Sequence, residues 1–359
     1  MKALIVAPSW IGDTVMAHPL FVRLHERNPG LELHALAPRW VAPVLRRMPE
    51  IAGVVDSPFG HGQLSLKARW RLARQLAAQR FDRVYVLPNS LKSALVPFMA
   101  GIPERIGFTG ESRIGLINVR HTLDKAALPE MAERFAQLAE AVGAPLPRPL
   151  PLPRLASSRE QQAATLAALG LPRPLRLAVF CPGAEYGPAK RWPTRHFATL
   201  AGELAARGYT VWLLGSPKDA PVGDEIVAQA QAGIPLANLC GTTSLDQAID
   251  LIAAADFVVC NDSGLMHVAA AVGRPLTALY GSSSPGFTPP LSPRAKVISL
   301  QLECSPCFKR ECPLGHLDCL EKLAPQRVLD ACLAPTESAP PRTDSAPAPE
   351  ATVARRVVP

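Results

Sequence analysis

Three short polar segments follow apolar stretches of the chain, and their residue types suit chemistry on an anionic ligand. SWIGD occupies residues 9–13, PGAEYGPAKRWP occupies residues 182–193, and CNDSGLMH occupies residues 260–267. Together they supply carboxylates, a lysine, a hydroxyl, a histidine and several glycines. Because ligands of open α/β sheets bind beyond the carboxyl ends of strands, we expect the three segments to meet at one site.

The third segment has the features of an anion site at the start of a helix. Ser263 suits the N-cap position, which leaves the backbone N–H groups from Gly264 onward pointing out of the helix with a positive partial charge. Such a turn binds anions. His267 follows four residues after Ser263 on the same helix face and could donate a hydrogen bond to the anion. A lone histidine in an apolar helix is more often a core residue, but its place above this turn favours a side chain that faces the cleft.

The second segment could hold a phosphate. Lys190 is a compact cation, and Gly183 and Gly187 would let a ligand approach the backbone. The alternative is that Lys190 and Arg191 form a solvated pair. The segment has neither the glycine pattern of a dinucleotide fold nor that of a Walker loop. A phosphate site here would therefore indicate another class of two-domain protein.

The first segment contains one acid beside a tight turn. Ser9 and Gly12 shape the turn, and Asp13 follows near the start of a predicted helix. One interpretation is that Asp13 is an N-cap, which is a common role for aspartate. The other is that it is a catalytic base, for which its carboxylate would have to point across a cleft.

The elements that must position these residues form two similar series. Continuous apolar strands alternate with helical segments, a pattern that indicates parallel sheets covered by helices on both faces. The fold class predicted is α/β, with two Rossmann-like doubly wound domains facing a central cleft. The predicted strands lie at residues 2–8, 31–38, 53–57, 81–88 and 105–108, and at 176–181, 210–215, 238–240, 256–260 and 275–280. Helices are predicted at 131–142, 157–169 and 244–255, the last with the capping-box spacing of Ser244 and Gln247.

The domain boundaries follow from composition. Prolines stop both helices and ladders, so the proline-rich run after the first series predicts a linker. The final segment is rich in Pro, Ala, Ser and Thr and is predicted to be disordered. The predicted organisation is a first domain at 1–143, a linker at 144–156, a second domain at 157–333 and a disordered tail at 334–359.

Charge is concentrated in the first domain. Residues 1–150 carry 19 Lys and Arg against 12 Asp and Glu, whereas residues 151–359 carry 19 against 18. This excess favours an anionic partner. Lys67, Arg71 and Arg74 fall on one predicted helix face, which is either a solvated surface or a patch that holds acidic headgroups. With 6% aromatic residues and no recognition motif, nucleic acid is not expected as a partner.

No apolar stretch approaches the roughly 18 residues of a membrane helix, and the start of the chain has no signal-peptide pattern. A cytoplasmic location is therefore the expectation.

Thiols stay reduced in the cytoplasm, so the late group Cys304, Cys307, Cys312 and Cys319 is not expected to form disulfides. Its opening Cys-x2-Cys suits structural zinc, while the later spacings fit no standard finger. The alternative is four thiols that pack a loop. Other cysteines are predicted in the core: Cys181, Cys240 and Cys260.

The motifs SxxGD, KxWP and DSGLMH, in this order and spacing over residues 1–333, resemble those of the family 9 glycosyltransferases, the ADP-heptose heptosyltransferases of bacterial lipopolysaccharide synthesis. The runs PGAEYGPAKRWP and CSPCFKRECPLGH are most similar to the second heptosyltransferase branch. The resemblance implies a GT-B fold, with the acceptor on the first domain and ADP-heptose on the second. The implied acceptor is the heptosyl-Kdo2-lipid A inner core at the inner face of the inner membrane.

The resemblance also implies roles for individual residues. Asp13 would be the general base of an inverting transfer, and Lys190 would neutralise the diphosphate leaving group. Further positions would contact the donor: Asp262 the sugar or the turn, Asp219 the ribose, and Ser263, Gly264 and His267 the diphosphate. Ser9, Gly12 and Gly183 would form the loops. No cofactor or catalytic metal is implied.

Other functions remain open from the sequence alone. The first or third heptosyltransferase of the family is the nearest alternative, and a nucleotide-sugar 2-epimerase, which shares the two-domain cleft, is a more distant one. An epimerase would be expected to use acids and histidines of both domains, whereas the first domain offers mainly Asp13. A two-lobed sugar-binding protein would ordinarily carry an export signal.

Overall fold

The computed structural model describes residues 1–59 and 64–335. Most of the predicted tail lies outside these residues, so the prediction of disorder there stays a prediction. The described chain forms two lobes, each built on one parallel sheet with helices on both faces. No helix in the described part of the chain is long and apolar enough to cross a membrane.

The first lobe alternates strands and helices from its first residues. Its strands are β1 (Lys2–Val6), β2 (Glu32–Pro38), β3 (Gly53–Ser57), β4 (Arg83–Val86), β5 (Glu104–Phe108) and β6 (Val119–His121). Its helices are α1 (Ile11–Met16), α2 (His18–Arg27), α3 (Ala42–Arg46), α4 (Leu66–Ala77), α5 (Leu91–Met99) and α6 (Met131–Ala136), the last continued by a 3₁₀ turn at Gln137–Ala139.

The second lobe repeats the plan. Its strands are β7 (Leu177–Cys181), β8 (Thr210–Leu213), β9 (Leu236–Asn238), β10 (Phe257–Asn261), β11 (Leu276–Tyr280) and β12 (Ala295–Ser299). Its helices are α7 (Arg159–Ala168), α8 (Thr194–Ala205), α9 (Ala220–Gln229), α10 (Leu245–Ala254), α11 (Gly264–Ala271), α12 (Asp318–Glu321) and α13 (Pro325–Leu333). Short 3₁₀ turns lie at Pro188–Lys190 and Pro217–Asp219.

Both sheets have the same strand order. The first runs β3-β2-β1-β4-β5-β6 and the second β12-β11-β10-β7-β8-β9, which is the doubly wound order read from the opposite edge. The order reverses between β1 and β4 in one sheet and between β7 and β10 in the other. Strands β7, β10 and β11 are buried at every residue, as expected for central parallel strands.

The α/β prediction is confirmed, with differences at the edges of the sheets. Strands β6 and β12 were not predicted, because edge strands are short or partly polar and lack a continuous apolar run. β9 lies two residues before its predicted position, so Cys240 follows that strand. The helix predicted at 131–142 ends as α6 and the 3₁₀ turn, before residue 140. The capping box of Ser244 and Gln247 is present at the start of α10.

The lobes are joined by packed chain rather than by a free connector. Residues 144–156 contain no helix or strand, but Leu146 and Leu155 are buried in a core cluster that includes side chains of both lobes. The Leu155 N–H donates to the Ala271 carbonyl at 3.0 Å, and the Ala156 N–H donates to the Arg47 carbonyl at 2.8 Å. The end of the proline-rich segment is thereby fixed to both lobes.

A buried ion pair adds a second connection between the lobes. The Arg47 guanidinium after α3 donates to both carboxylate oxygens of Asp250 in α10, at 2.8 and 3.0 Å. Asp250 also accepts hydrogen bonds from the Ser157 hydroxyl at 2.7 Å and the Thr165 hydroxyl at 3.0 Å. The Asp250 side chain is only 4% exposed, so four protein donors replace water as the hydrogen-bond partners of this carboxylate.

Candidate active site between the two lobes

The sheet order brings the three polar segments to the carboxyl ends of central strands. SWIGD follows β1, PGAEYGPAKRWP follows β7, and DSGLMH follows β10. Strands β7 and β10 are neighbours, and Cys181 pairs in register with Cys260, so the two loops that follow start side by side. They leave the sheet at its switch point, which is where doubly wound folds bind ligands.

The first and third segments meet where α1 of one lobe packs on α11 of the other. A Cβ placed on Gly12 would come within 2.8 Å of the His267 Cδ2, and a Cβ on Gly264 would come within 3.0 Å of the Ile11 Cβ. Both distances are too short for ordinary contacts. The two glycines therefore allow the helix starts to approach closely, and this approach places Asp13 in the interlobe region.

Asp13 lies inside the first turn of α1, after Trp10 at the N-cap position, so the N-cap interpretation of Asp13 is wrong. Among the described residues, none donates a hydrogen bond to its carboxylate. Burial raises the pKa of the Asp13 carboxyl to about 6, and the nearby charge of Lys190 opposes part of that rise. Asp13 is therefore ionised at neutral pH while being a stronger base than an ordinary aspartate.

Lys190 is held in place by the neighbouring loop. Its Nζ lies 2.5 Å from the Asp262 Oδ2, and the two side chains are 17% and 5% exposed. The Nζ also lies 5.1 Å from the centre of the Tyr186 ring. The alternative of a solvated Lys190–Arg191 pair is therefore wrong for Lys190. Asp262 orients the lysine, and this ion pair was not among the predicted contacts.

The start of α11 is built as predicted, with one difference. Ser263 is the N-cap residue with extended backbone angles, but within the described residues its side chain makes no capping hydrogen bond. The helix start therefore keeps both the serine hydroxyl and its first N–H groups for a ligand. Asn261, at the end of the preceding strand, hydrogen-bonds to the loop that carries Lys190. Its side-chain N–H donates to the Pro182 carbonyl at 2.7 Å, and its Oδ1 accepts from the backbone N–H of Trp192 at 3.1 Å.

Asn261 is a positioning residue that sequence reasoning missed. It is fully buried at the end of β10. A buried amide must be hydrogen-bonded, so an asparagine at the end of an otherwise apolar strand was the available signal.

His267 lies on the face of α11 that contacts α1. Its side chain is buried, and burial lowers the pKa of the imidazole to about 4, with the charge of Asp262 opposing the shift and that of Lys190 adding to it. The ring is therefore neutral at physiological pH. A neutral imidazole can donate one hydrogen bond to an anion but brings no charge.

Asp219 and Gly183 form one unit at the other side of the β7 loop. The Asp219 Oδ2 accepts from the Ser216 N–H at 2.9 Å and the Ser216 hydroxyl at 2.7 Å, which closes a capping box. A Cβ on Gly183 would overlap the Asp219 carboxylate. The missing side chain of Gly183 thus makes room for Asp219. The predicted contact of Asp219 with a ribose stays a prediction.

The predicted core cysteines are buried, as are most residues around them. Three of the late cysteines, Cys304, Cys307 and Cys312, lie in the loop between β12 and α12, and Cys319 lies in α12. Cys304, Cys307, Cys312 and Cys319 line one cavity of about 20 Å³. In the chain as described, no three His, Cys, Asp or Glu side chains form a set that could hold a metal ion as they stand.

Comparison with known proteins places this geometry among sugar transferases. Residues 69–318 match the family model described as glycosyltransferase family 9 (heptosyltransferase). The chain is 48% identical over 337 residues to lipopolysaccharide heptosyltransferase 2 of Escherichia coli K12, covering 92% of this chain and 97% of that protein. The solved structure of E. coli ADP-heptose LPS heptosyltransferase II superposes with a TM-score of 0.85 at 45% identity, over 92% of this chain and 97% of that one.

Similarity to the first heptosyltransferase is lower. Lipopolysaccharide heptosyltransferase 1 of E. coli K12 is 28% identical over 304 residues, covering 80% of this chain and 90% of that protein. The second type is thus the nearer of the two E. coli enzymes.

The close approach of α1 and α11 is tested by adding one methyl group. Gly12→Ala should lower the free energy of unfolding by about 1–3 kcal/mol, because the Cβ would force His267 or the helices apart. Gly202→Ala in α8 is the matched control, since a Cβ there meets no atom within 4 Å and should stabilise the helix by about 0.5–1 kcal/mol. Urea denaturation measures both. A Gly12→Ala protein as stable as the control would show that the helices are not held this closely.

Proposed function

The chain belongs to glycosyltransferase family 9, the heptosyltransferases, and from that membership we propose that it moves a heptose from ADP-heptose to the inner core of lipopolysaccharide as a heptosyltransferase of the second type. The protein is a glycosyltransferase, and neither the first heptosyltransferase nor a 2-epimerase is favoured. The observation that carries the chemical proposal is that a buried carboxylate of the first lobe, Asp13, lies near enough to Lys190 of the second lobe for the charge of the lysine to act on its pKa.

In the proposed reaction, Asp13 acts on the acceptor. A hydroxyl of the acceptor attacks the anomeric carbon of the heptose, and its proton passes to the Asp13 carboxylate. The new C–O bond forms as the bond from that carbon to the diphosphate breaks, and ADP leaves. One displacement inverts the anomeric configuration. A base with a pKa of about 6 suits this step because it is ionised at neutral pH and accepts a proton more readily than an ordinary aspartate.

The groups of the second lobe act on the leaving group. Negative charge grows on the diphosphate as the glycosidic bond breaks, so cations and N–H donors already aimed at it lower the barrier. Lys190 would supply the charge, oriented by Asp262. Ser263, Gly264 and His267 would supply hydrogen bonds from the start of α11. In this proposal, protein groups neutralise the diphosphate and turnover does not require Mg²⁺.

The acceptor proposal is tested by supplying two acceptors with ADP-heptose. ADP release and a mass increase of one heptose are expected with heptosyl-Kdo2-lipid A and not with Kdo2-lipid A. Initial rates should be equal with and without Mg²⁺. Extension of Kdo2-lipid A alone would make the protein the first heptosyltransferase, and no ADP release with either acceptor would refute the transferase function.

Asp13→Asn separates catalysis from folding. Turnover should fall by about 10²–10⁴-fold, the usual contribution of a general base. Wild-type turnover should fall as the pH drops below about 6, because protonated Asp13 cannot accept a proton. The folded pKa is raised, so burying the charged form costs stability above about pH 6 and nothing below about pH 4.

The same variant should therefore gain on the order of 2–3 kcal/mol in free energy of unfolding near pH 7.5, and the gain should vanish near pH 4. Asp330→Asn on the exposed side of α13 is the control and should change neither rate nor stability beyond about 0.5 kcal/mol. Retained turnover in Asp13→Asn would remove the base role, whatever happens to stability.

We further propose that the enzyme works at the cytoplasmic surface of the inner membrane, held there through α4. Trp70 and Leu66 are 53% and 52% exposed, and Lys67, Arg71 and Arg74 are exposed on the same side of the helix. The Arg74 guanidinium lies 5.1 Å from the Trp70 ring centre. Tryptophan and flanking cations are typical of segments at the headgroup level of a bilayer. Helix α5 packs beside α4, and Phe98 and Met99 of α5 are also exposed.

Replacing Lys67, Arg71 and Arg74 by Gln should weaken binding to vesicles that contain phosphatidylglycerol by about 100-fold, since each cation near an anionic surface contributes about 1 kcal/mol. The matched control replaces three exposed arginines of the second lobe, namely Arg159, Arg173 and Arg327. Vesicle sedimentation measures both. Equal loss in the two triple variants would mean that net charge, and not the α4 face, governs binding.

A further inference from the structure

The loop at residues 301–317, between β12 and α12, is irregular and strained. It contains no helix or strand. Gln301, Phe308 and Leu317 have φ angles of 49°, 53° and 52°, so three of the five left-handed residues other than glycine in the described chain lie here. Each such residue costs roughly 1–3 kcal/mol and persists only where the surroundings fix it. Contacts with other segments hold this loop, such as the Phe308 N–H that donates to the Ser282 carbonyl at 2.7 Å.

The three thiols of this loop and the Cys319 thiol of α12 line one small cavity. Cys304, Cys307, Cys312 and Cys319 line it together with His316, and its volume of about 20 Å³ is on the scale of one small ion or water molecule. The Leu317 N–H donates to the Cys312 Sγ at 3.4 Å. One sulfur of the group therefore already accepts a backbone hydrogen bond within the loop.

We propose that Cys304, Cys307, Cys312 and Cys319 bind one soft divalent metal ion of the zinc class as four thiolates. The first two are separated by two residues, the spacing at which neighbouring cysteines reach one tetrahedral ion. The ion enters the cavity between them. Because no three of these groups stand at coordination geometry in the described chain, binding rotates the thiols inward around the ion.

Charge explains why an ion is needed to bring four sulfurs together. Four adjacent thiolates would repel one another, whereas a divalent cation neutralises two of the four charges and releases the protons. Bonds from one ion to four cysteines also cross-link the loop to α12, and this cross-link offsets the strain of the left-handed residues.

The loop at residues 301–317 contacts the loop that carries Lys190. The Ala189 N–H donates to the Arg310 carbonyl at 3.0 Å, and the Tyr186 hydroxyl donates to the Phe308 carbonyl at 2.8 Å. A Cβ on Gly187 would overlap the Arg310 carbonyl. A metal bound by the four cysteines would therefore stabilise the loop that carries Lys190 through these contacts. Such a metal is structural and lies outside the reacting groups.

The test uses the reduced full-length chain, stripped of metal and titrated with Co²⁺. We expect one ion per chain, with the sulfur-to-cobalt charge-transfer absorption of a tetrahedral thiolate site, and displacement of that absorption by Zn²⁺. Cys312→Ser and Cys304→Ser should lose the absorption. Cys332→Ser is the control, because Cys332 lies on α13, away from the cavity, and shares a hydrogen bond with the Thr277 hydroxyl.

Three outcomes would overturn the proposal. The first is Co²⁺ uptake by wild type that is no greater than uptake by the Cys304, Cys307, Cys312 and Cys319 quadruple Ser variant. The second is loss of the signal in Cys332→Ser together with the loop variants. The third is a thiol assay of the chain, isolated under non-reducing conditions, that finds Cys304, Cys307, Cys312 and Cys319 paired as disulfides.

Discussion

The structure depends on one close contact, where the start of α1 in the first lobe meets the start of α11 in the second. Neither Gly12 nor Gly264 has room for a Cβ, so the contact is made by backbone and by the side chains of Ile11 and His267. Asp13, the proposed base, and the start of α11, the proposed anion site, are thereby brought to one place. Larger residues would hold the two chemical halves apart even if each lobe folded correctly.

The sequence predicted best those features that are local to one strand or helix. The central strands, the α10 capping box and the Ser263 N-cap follow from apolar runs and nearby residue types. Features set by distant residues were missed. Arg47 pairs with Asp250 about 200 positions later, and Asn261 ties two loops 79 positions apart. No local pattern reports such partners, because only the folded sheet order brings them together.

The same distinction explains the candidate site. Asp13, Lys190 and His267 were identified from their segments and from the family resemblance, and the fold gathers those segments at the sheet switch points. The pairing of Lys190 with Asp262, however, changes what each residue does. Asp262 keeps the lysine in position before any ligand is present, so the cation need not be reorganised when charge develops on a leaving group.

Lys190 also links the two halves electrostatically. Its charge lowers the pKa of Asp13 and that of His267. A diphosphate bound to Lys190 adds negative charge at the same place and cancels part of that influence. The pKa of Asp13 must then rise further, because a like charge nearby disfavours its ionised form. In the proposed reaction, Asp13 would thus bind a proton more tightly once the donor is present, and it can still act as the base where the pH exceeds its raised pKa. Without a bound diphosphate, burial still raises the pKa of Asp13 and the full charge of Lys190 opposes part of that rise. Because the coupling acts through charge, it depends on the close approach of the lobes that the two glycines allow.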